Sequence, residues 1–230
     1  MAIVTASGMV LLPAISQFFI SDDYEKVRKY MYKGFDYISF ISIPLSIGLI
    51  AIAGDFGIWF FGTSFAHIDI VLALLSIVLV FMAWNNTFSS QFLIPAKHEN
   101  WYTQSFIYGA VLNIILNIYL DKNMGAVGAA ISAMIAETFV VLYQINKIKY
   151  FFSIRKLFKN VWKYYLSALA MGLFIFFINK NLQFNMSILV MDIFIGSIIY
   201  LGCNLLLHVP IFNDFYKYMS KKGVIDRKKN

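Results

Sequence analysis

The sequence predicts an all-α, polytopic membrane protein with about seven transmembrane helices. Of its 230 residues, 60% are hydrophobic and only 13% are charged, against about 45–50% and about 25% in soluble domains. Apolar stretches long enough to cross a hydrocarbon core of about 30 Å recur along the chain. Most of the positive charge lies in the connectors between them. A soluble domain of this size could not bury so much apolar surface, so lipid is the expected solvent.

Seven apolar stretches meet the length requirement for a membrane-spanning helix. They lie near 1–20, 35–53, 69–88, 103–120, 124–145, 162–178 and 187–207. Pro13 in the first stretch and Pro44 in the second each remove a backbone donor. We therefore expect both prolines to kink their helices.

The distribution of basic residues predicts which connectors share a side of the membrane. If consecutive spans alternate in direction, all of the 19 Lys and Arg residues except Lys122 and Lys180 lie on one side. By the positive-inside rule that side is cytoplasmic. The C-terminus is then cytoplasmic and Met1 extracytoplasmic. Residues 1–20 lack a basic flank and a cleavage site, so they do not resemble a signal peptide. We expect the chain to be the second part of something longer.

The connector at 146–163 predicts an amphipathic helix in the headgroup plane. Its apolar and basic residues separate onto two faces of a helical wheel, with Ile148 and Phe152 out of place. Lipid anchoring is the simpler interpretation, and a regulatory role is the alternative. The expected organisation is transmembrane helices over 1–145, the interfacial helix over 146–163, a transmembrane helix pair over 164–212 and a basic cytoplasmic tail over 213–230.

The stretch from Gly109 to Glu137 predicts a tightly packed helical hairpin with a polar turn at 121–124. Gly109, Asn113 and Asn117 share one face of the first helix, at i, i+4 spacing. Small residues share a face of the second helix, a pattern that lets membrane helices approach closely. They are Gly125, Gly128, Ala129, Ser132, Ala133 and Ala136.

Polar side chains at membrane depth are the candidate functional residues, because each is costly to place in lipid. Asn113 and Asn117 either bond to a neighbouring helix or line a hydrated substrate pathway. Glu137 is a candidate for binding a coupling proton or ion. Asn85, Asn86 and Gln91 lie at the end of the third span and are also candidates for the transport pathway. The alternative is that they simply end the helix and begin a loop.

Two other carboxylates, Asp36 and Asp192, lie near span ends, and we expect them to be solvated. Motifs for other functions are missing. His67, His98 and His208 lack metal-ligand spacing, and the single cysteine forms neither a disulfide framework nor a thiolate metal site. There is no phosphate-binding loop, nucleophile elbow or pair of catalytic carboxylates, and no basic face of a soluble nucleic-acid binder. We therefore expect no enzyme activity, no cofactor and no nucleic-acid partner.

Five segments together resemble the bacterial polysaccharide repeat-unit flippases, whose superfamily also holds lipid II flippases and multidrug and toxin extrusion exporters. They are VTASGMVLLPAIS (4–16), SIPLSIGLIAIAGDFGIWFFG (42–62), QFLIPAKHENWY (91–102), GAVLNIILN (109–117) and GAVGAAISAMIAE (125–137). They occur in the family's order and at its spacing. One departure is at Pro13, where the family usually has a following arginine and this chain has Ala14.

The resemblance implies the C-terminal lobe of a flippase of about twelve to fourteen helices, with the first span here corresponding to the eighth. Such a flippase moves undecaprenyl-linked polysaccharide repeat units from the inner to the outer leaflet of the bacterial cytoplasmic membrane by alternating access. The implied partners are membrane lipids, the lipid-linked oligosaccharide and a missing or separate N-terminal lobe. Two alternatives stay open: a non-transporting remnant or interaction subunit of a glycan assembly complex, and a multidrug or cation exporter lobe, which Glu137 would suit.

Overall fold

The computed structural model describes residues 15–62, 65, 67–179, 182 and 185–212. Over these residues the chain forms helices joined by short connections, without strands. The helices are α1 (Tyr24–Phe61), α2 (Ile68–Phe88), α3 (Glu99–Met124), α4 (Ala126–Ile148), α5 (Ile154–Leu157), α6 (Val161–Asn179) and α7 (Met186–Leu206). A π-helical turn, Ser89–Leu93, extends α2. Residues 15–20 are also helical.

Six helical segments within the described ranges are long and apolar enough to cross a membrane. They coincide with the second to seventh predicted spans, which confirms the all-α, multi-span prediction. Most of the predicted first span, including Pro13, lies outside the described residues. Pro44 lies inside α1, which remains one helix across it.

The first helix, α1, extends well beyond the predicted second span. It has 38 residues, about 57 Å at 1.5 Å per residue, nearly twice the thickness of a hydrocarbon core. Asp23 caps its start, because Oδ1 accepts the Lys26 N–H at 3.2 Å while Oδ2 pairs with Lys26 Nζ at 2.6 Å. Gly62, at φ 85°, follows its last turn. One end of α1 therefore projects out of the membrane and carries the basic residues of that connector.

The other helices pack around α1 and α2. α4 packs against α2 and also contacts α3. α6 packs against α1 and also contacts α7. An aromatic cluster fills the centre: the Phe35 ring lies 5.3 Å from Phe88, 5.5 Å from Trp84 and 5.0 Å from Phe158. Trp84 Nε1 donates to Ser39 Oγ at 3.0 Å, so the indole N–H is satisfied inside the core. This core joins α1 and α2 to the connector before α6.

The helical hairpin is present, but its predicted polar turn at 121–124 is wrong. α3 continues through Met124, and Gly125 alone (φ 55°, ψ −136°) separates it from α4. The polar residues form the last turn of a helix because only Gly125 needs a left-handed backbone, which glycine adopts readily. The close approach is confirmed: a Cβ at Gly128 would lie 2.9 Å from the Asp121 backbone nitrogen, and one at Gly109 would clash with Val140.

The single amphipathic helix expected over 146–163 is also wrong. α4 ends at Ile148, the chain turns, and the four-residue α5 precedes α6. The residues before and after this turn do not belong to one continuous helix, so a single helical wheel cannot predict which of them share a face. Ile148 and Phe152, the residues out of place on that wheel, are buried, whereas Tyr150 is 78% exposed. Phe152 packs edge-on against Phe92 with ring centroids 4.7 Å apart, which docks the connector on the bundle.

Candidate functional site

The basic connectors meet at one end of the helical bundle. Arg28 Nε donates to the Phe151 carbonyl at 3.2 Å, and Lys163 Nζ donates to the Leu207 carbonyl at 2.8 Å. Lys147 Nζ lies 5.5 Å from the centre of the Trp101 ring. These contacts bring together connectors that the charge distribution had assigned to one side.

The opposite end of the bundle carries carboxylates. Asp55 and Asp69 line a cavity of about 460 Å³ together with Asn179. Asp192, which we expected to be solvated, is only 5% exposed and accepts a hydrogen bond from Asn179 Nδ2 at 2.7 Å. That expectation was wrong because α6 covers this part of α7. Asp36 is half-buried and accepts a hydrogen bond from Asn160 Nδ2 at 3.1 Å. This bond links α1 to the connector before α6, so Asp36 is not simply a solvated carboxylate.

Asn113 and Asn117 are half-buried and bond to each other along α3. Asn117 Nδ2 donates to Asn113 Oδ1 at 3.0 Å, a contact within one helix rather than between two. Gly109, one turn earlier, packs against Val140 of α4. The pair therefore forms a continuous polar strip on α3, and the described contacts show no side-chain hydrogen bond from it to a neighbouring helix.

Asn85 and Glu137 come together in a buried polar cluster between α2, α3 and α4. Asn85 Oδ1 accepts from Gln144 Nε2 at 2.9 Å and from Ser89 Oγ at 3.2 Å. The Asn85 side chain also lies beside the Glu137 carboxyl group. Gln144 Nε2 reaches Ser105 Oγ at 3.1 Å. Three helices are thus connected through uncharged amides and hydroxyls around one carboxyl group.

Two members of this cluster, Gln144 and Ser105, were missed by the sequence reasoning. Gln144 follows Glu137 by two helical turns, so the two share a face of α4, and that spacing could have identified it. Ser105 offers no comparable signal, because a serine in an apolar helix commonly bonds to its own backbone. Its position is decided by how α3 packs on α4.

Asn86 and Gln91 lie apart from the cluster. Asn86 is half-buried, and its backbone carbonyl accepts from Ser90 Oγ at 2.7 Å. Gln91 lies in the π-helical turn, is 1% exposed and packs against Gly34 of α1. The turn is closed by an Ile94 N–H to Ser89 carbonyl bond of 3.0 Å. Turns of this kind are rare and occur often at functional sites.

The fold and its buried polar groups define a multi-pass α-helical membrane protein. The sequence model of the family "Lipid II flippase MurJ" matches residues 2–195, and the chain belongs to that family. It is 25% identical over 152 residues to the lipid II flippase MurJ of Bacillus subtilis (strain 168), covering 64% of this chain and 28% of that protein. It is 31% identical over 189 residues to a Klebsiella pneumoniae protein described as an uncharacterized membrane protein in cps region, covering 82% of this chain and 36% of that protein.

A solved structure of lipid II flippase MurJ in an inward closed conformation has the same fold. It superposes with a TM-score of 0.70 at 22% identity, over 86% of this chain and 42% of that one. The chain therefore spans about a third of its curated relatives and less than half of this structure. The flippase superfamily predicted from the sequence is confirmed, and the branch that matches is that of lipid II flippases. Flippases are transporters, in agreement with the missing enzyme motifs.

Proposed function

We propose that the chain forms one lobe of a flippase that moves a lipid-linked saccharide from the inner to the outer leaflet of the bacterial cytoplasmic membrane. The observation that carries this proposal is the family match over residues 2–195. The agreement in fold over 86% of the chain supports it. Because the chain spans only 42% of the solved flippase, we propose that transport requires a second lobe. Alternating access needs two bodies that move against each other around the cargo.

The proposed cargo is an undecaprenyl-linked polysaccharide repeat unit, with lipid II as the alternative. Both join a polar saccharide to a polyprenyl lipid, so the family match is compatible with either. The segments QFLIPAKHENWY and GAVLNIILN look more like the polysaccharide branch than like the drug and cation exporters. The protein described as belonging to a cps region shares 31% identity over 82% of the chain, and this supports the same choice. By comparison, the lipid II flippase of B. subtilis shares 25% identity over 64% of the chain.

In this proposal the basic end of the bundle faces the cytoplasm, as the positive-inside rule requires. The C-terminus is then cytoplasmic and residue 1 extracytoplasmic. Asn113 and Asn117 form a polar strip along the transport pathway, since carboxamides can exchange hydrogen bonds with saccharide hydroxyls. Their mutual hydrogen bond of 3.0 Å keeps both side chains on one face of α3.

The test measures lipid flipping by the chain after it has been purified together with the proteins that bind to it in the native membrane. The purified assembly is placed in proteoliposomes containing either an NBD-labelled repeat-unit lipid or NBD-labelled lipid II. Loss of fluorescence after adding membrane-impermeant dithionite measures how much lipid has reached the outer leaflet. We expect the repeat-unit lipid to be flipped faster.

Replacing the polar strip tests its role. The double variant Asn113→Leu plus Asn117→Leu should reduce flipping at least several-fold at unchanged protein level. The matched control is Ile114→Leu plus Ile118→Leu, which changes the exposed apolar face of the same helix. Unchanged flipping in the asparagine variant would assign the pair to packing. If no assembly flips either lipid, a non-transporting subunit of a glycan assembly complex becomes the better description.

A further inference from the structure

A second group of polar side chains lies at the carboxylate-bearing end of the bundle, away from the cluster around Glu137. Asp55 of α1, Asp69 of α2 and Asn179 of α6 line one cavity of about 460 Å³. Asp192 of α7 accepts a hydrogen bond from Asn179 Nδ2 at 2.7 Å. The Asp55 and Asp192 carboxylates are close enough for their charges to interact. Four helices therefore meet around one acidic cavity, which is separate from the proposed transport pathway along α3.

Asn179 indicates that this cavity takes a ligand. Its side chain is only 5% exposed, yet its Oδ1 has no hydrogen-bond partner. Reversing the amide would bring Oδ1 against the Asp192 carboxylate, where two acceptors repel, so the present orientation is the favourable one. A buried acceptor without a donor lowers the stability of the folded state. A ligand N–H group in the cavity would remove that loss.

The carboxylates of the cavity are not neutralised by the helices that carry them. Within the described residues, none of Asp55, Asp69 and Asp192 forms an ion pair with a basic side chain. Asp69 lies in the first turn of α2, where the helix dipole favours a negative charge. Asp55 lies nearer the C-terminal end of α1 and has no comparable support. A cation in the cavity would also relieve the repulsion between Asp55 and Asp192.

The chain's own basic side chains are the first candidates for that cation. Lys122 lies in the last turn of α3, a helix that contributes no residue to the lining of the cavity. His67 is exposed and shares a smaller neighbouring cavity with Asp69. Lys180 directly follows Asn179 in the sequence and lies outside the described residues. The experiment below therefore treats Lys180 as the competing cation.

We propose that this cavity binds an organic cation with at least two ammonium groups, an aliphatic diamine or polyamine. The exposed carboxylates of Asp55 and Asp69 pair with ammonium groups, and Asn179 Oδ1 accepts an ammonium N–H. Ligand pockets commonly have volumes of about 300–1,000 Å³, so the cavity has room for such a molecule. Apolar side chains complete the lining and suit its methylene segments: Ile50, Ala53, Ile70 and Phe176.

A metal ion fits this cavity less well than an organic cation. Within the described residues, no three His, Cys, Asp or Glu side chains are placed to hold one metal ion. Carboxylates that are too dispersed for a single ion can still be reached by separate ammonium groups joined by a flexible spacer. The size of the cavity and the spread of its charges therefore favour the extended ligand.

Gly54 allows the space to be closed without removing a charge. It lines the cavity, and a Cβ added there meets nothing within 4 Å. The variant Gly54→Leu should therefore fill part of the cavity while every carboxylate remains. The proposed binding depends on neither transport nor the cargo, so failure of the flipping experiment would leave it standing.

The experiment measures equilibrium binding of ¹⁴C-labelled spermidine to the full chain in nonionic detergent micelles. It is done at pH 8, where histidine side chains are mostly neutral. We expect saturable binding of about one spermidine per chain. The thermal unfolding midpoint should rise with spermidine concentration, because a ligand that binds only the folded state stabilises it. MgCl₂ at equal ionic strength should raise the midpoint less.

Asp55→Asn plus Asp69→Asn should weaken spermidine binding at least tenfold, and Gly54→Leu should weaken it by a similar factor. Both carboxylates are exposed, so the double variant should fold. Asn179→Leu should weaken binding several-fold, because it removes the buried acceptor. Asp121→Asn is the matched control and should bind spermidine normally, since it removes an exposed carboxylate from the same end of the bundle but outside the cavity.

Three results would overturn the inference. Full binding by Gly54→Leu would mean that spermidine is attracted only to a negative surface. Unchanged binding by the double asparagine variant would place the ligand elsewhere. Absence of binding by the unmodified chain would also contradict the proposal, and binding gained only in Lys180→Ala would identify Lys180 as the cavity's own cation.

Discussion

The side-chain amide of Gln91 lies against Gly34, in the space where any other residue at position 34 would place its Cβ. An ideal Cβ there would be 2.6 Å from Gln91 Nε2 and 2.7 Å from Gln91 Cδ. Gln91 is part of the π-helical turn that ends the second span, and Gly34 lies in α1. The contact therefore fixes the position of this turn relative to the long helix.

Gly34→Ala should destabilise the protein, because the added methyl group displaces the buried Gln91 amide. Overpacking of this kind lowers the free energy of unfolding by about 1–3 kcal/mol. The variant should also unfold at a lower temperature in detergent micelles. In a Gln91→Ala background the same change should be neutral or stabilising, because alanine favours a helix over glycine by about 1 kcal/mol.

Gly54→Ala is the matched control, since it lies in the same helix and an added Cβ there meets nothing within 4 Å. It should leave the unfolding temperature unchanged or raise it. An equal loss of stability in Gly34→Ala with and without Gln91 would show that the two residues are not coupled.

Gly128→Ala should disrupt the hairpin between α3 and α4. The added methyl group would meet the α3 backbone, with the Asp121 nitrogen only 2.9 Å away. Backbone cannot move aside as a side-chain end does, so we expect a loss of about 3 kcal/mol or more in unfolding free energy. Thermal unfolding should be compared with Gly202→Ala in α7, where an added Cβ meets nothing within 4 Å. Similar midpoints in the two variants would contradict the close approach.

Acidification should destabilise the cluster around His98. His98 stacks on Trp101 with ring centroids 4.0 Å apart, and burial lowers the pKa of His98 below its usual 6.5. Below pH 6.5 the imidazole binds a proton in the unfolded chain but not yet in the folded one, so the free energy of unfolding falls as the pH falls. The decrease ends once the pH is below the pKa of His98 in the folded state. His98→Gln should reduce the fall in unfolding midpoint between pH 7.5 and 5.5.

His67→Gln provides the comparison for this pH effect, because that histidine is exposed at the other end of the bundle. It should keep the pH dependence of the unmodified protein. If the unfolding midpoint falls equally with pH in His98→Gln and His67→Gln, then His98 is not the group that causes the loss of stability on acidification.

Orientation can be tested by cysteine labelling. Cys203 is the single cysteine, so Cys203→Ser provides a background for Lys156→Cys and Lys122→Cys, both at exposed positions. On intact spheroplasts a membrane-impermeant maleimide should label position 122 and not 156. Position 156 should react only after the membrane is opened. The reverse pattern would mean that the basic end faces outward.

The spans and the grouping of connectors could be predicted from local properties. A stretch such as 187–207 is apolar over the length of a membrane, and lipid favours a helix because every backbone group must be bonded internally. The basic connectors share a side because consecutive spans alternate in direction, and the contact between Arg28 and Phe151 shows two of them together. These features need only the order of apolar and charged residues along the chain.

Side-chain partners could not be predicted in the same way. Asn85 and Glu137 were recognised as costly in lipid, yet nothing in their spacing indicated that they interact across α2 and α4. Asp192 was expected to reach water, but the neighbouring helix supplies Asn179 and covers it. The polar residues at 121–124 resembled a turn, whereas Gly125 alone makes it.

The sequence by itself determined an all-helical membrane protein, the positions of six described spans and the separation of charge between the two ends. Only the tertiary structure decided where the connector at 149–160 folds and that Gln144 and Ser105 join Asn85 and Glu137. The physical reason is that hydropathy and charge act locally. The rotation of each helix about its axis depends instead on close packing with its neighbours.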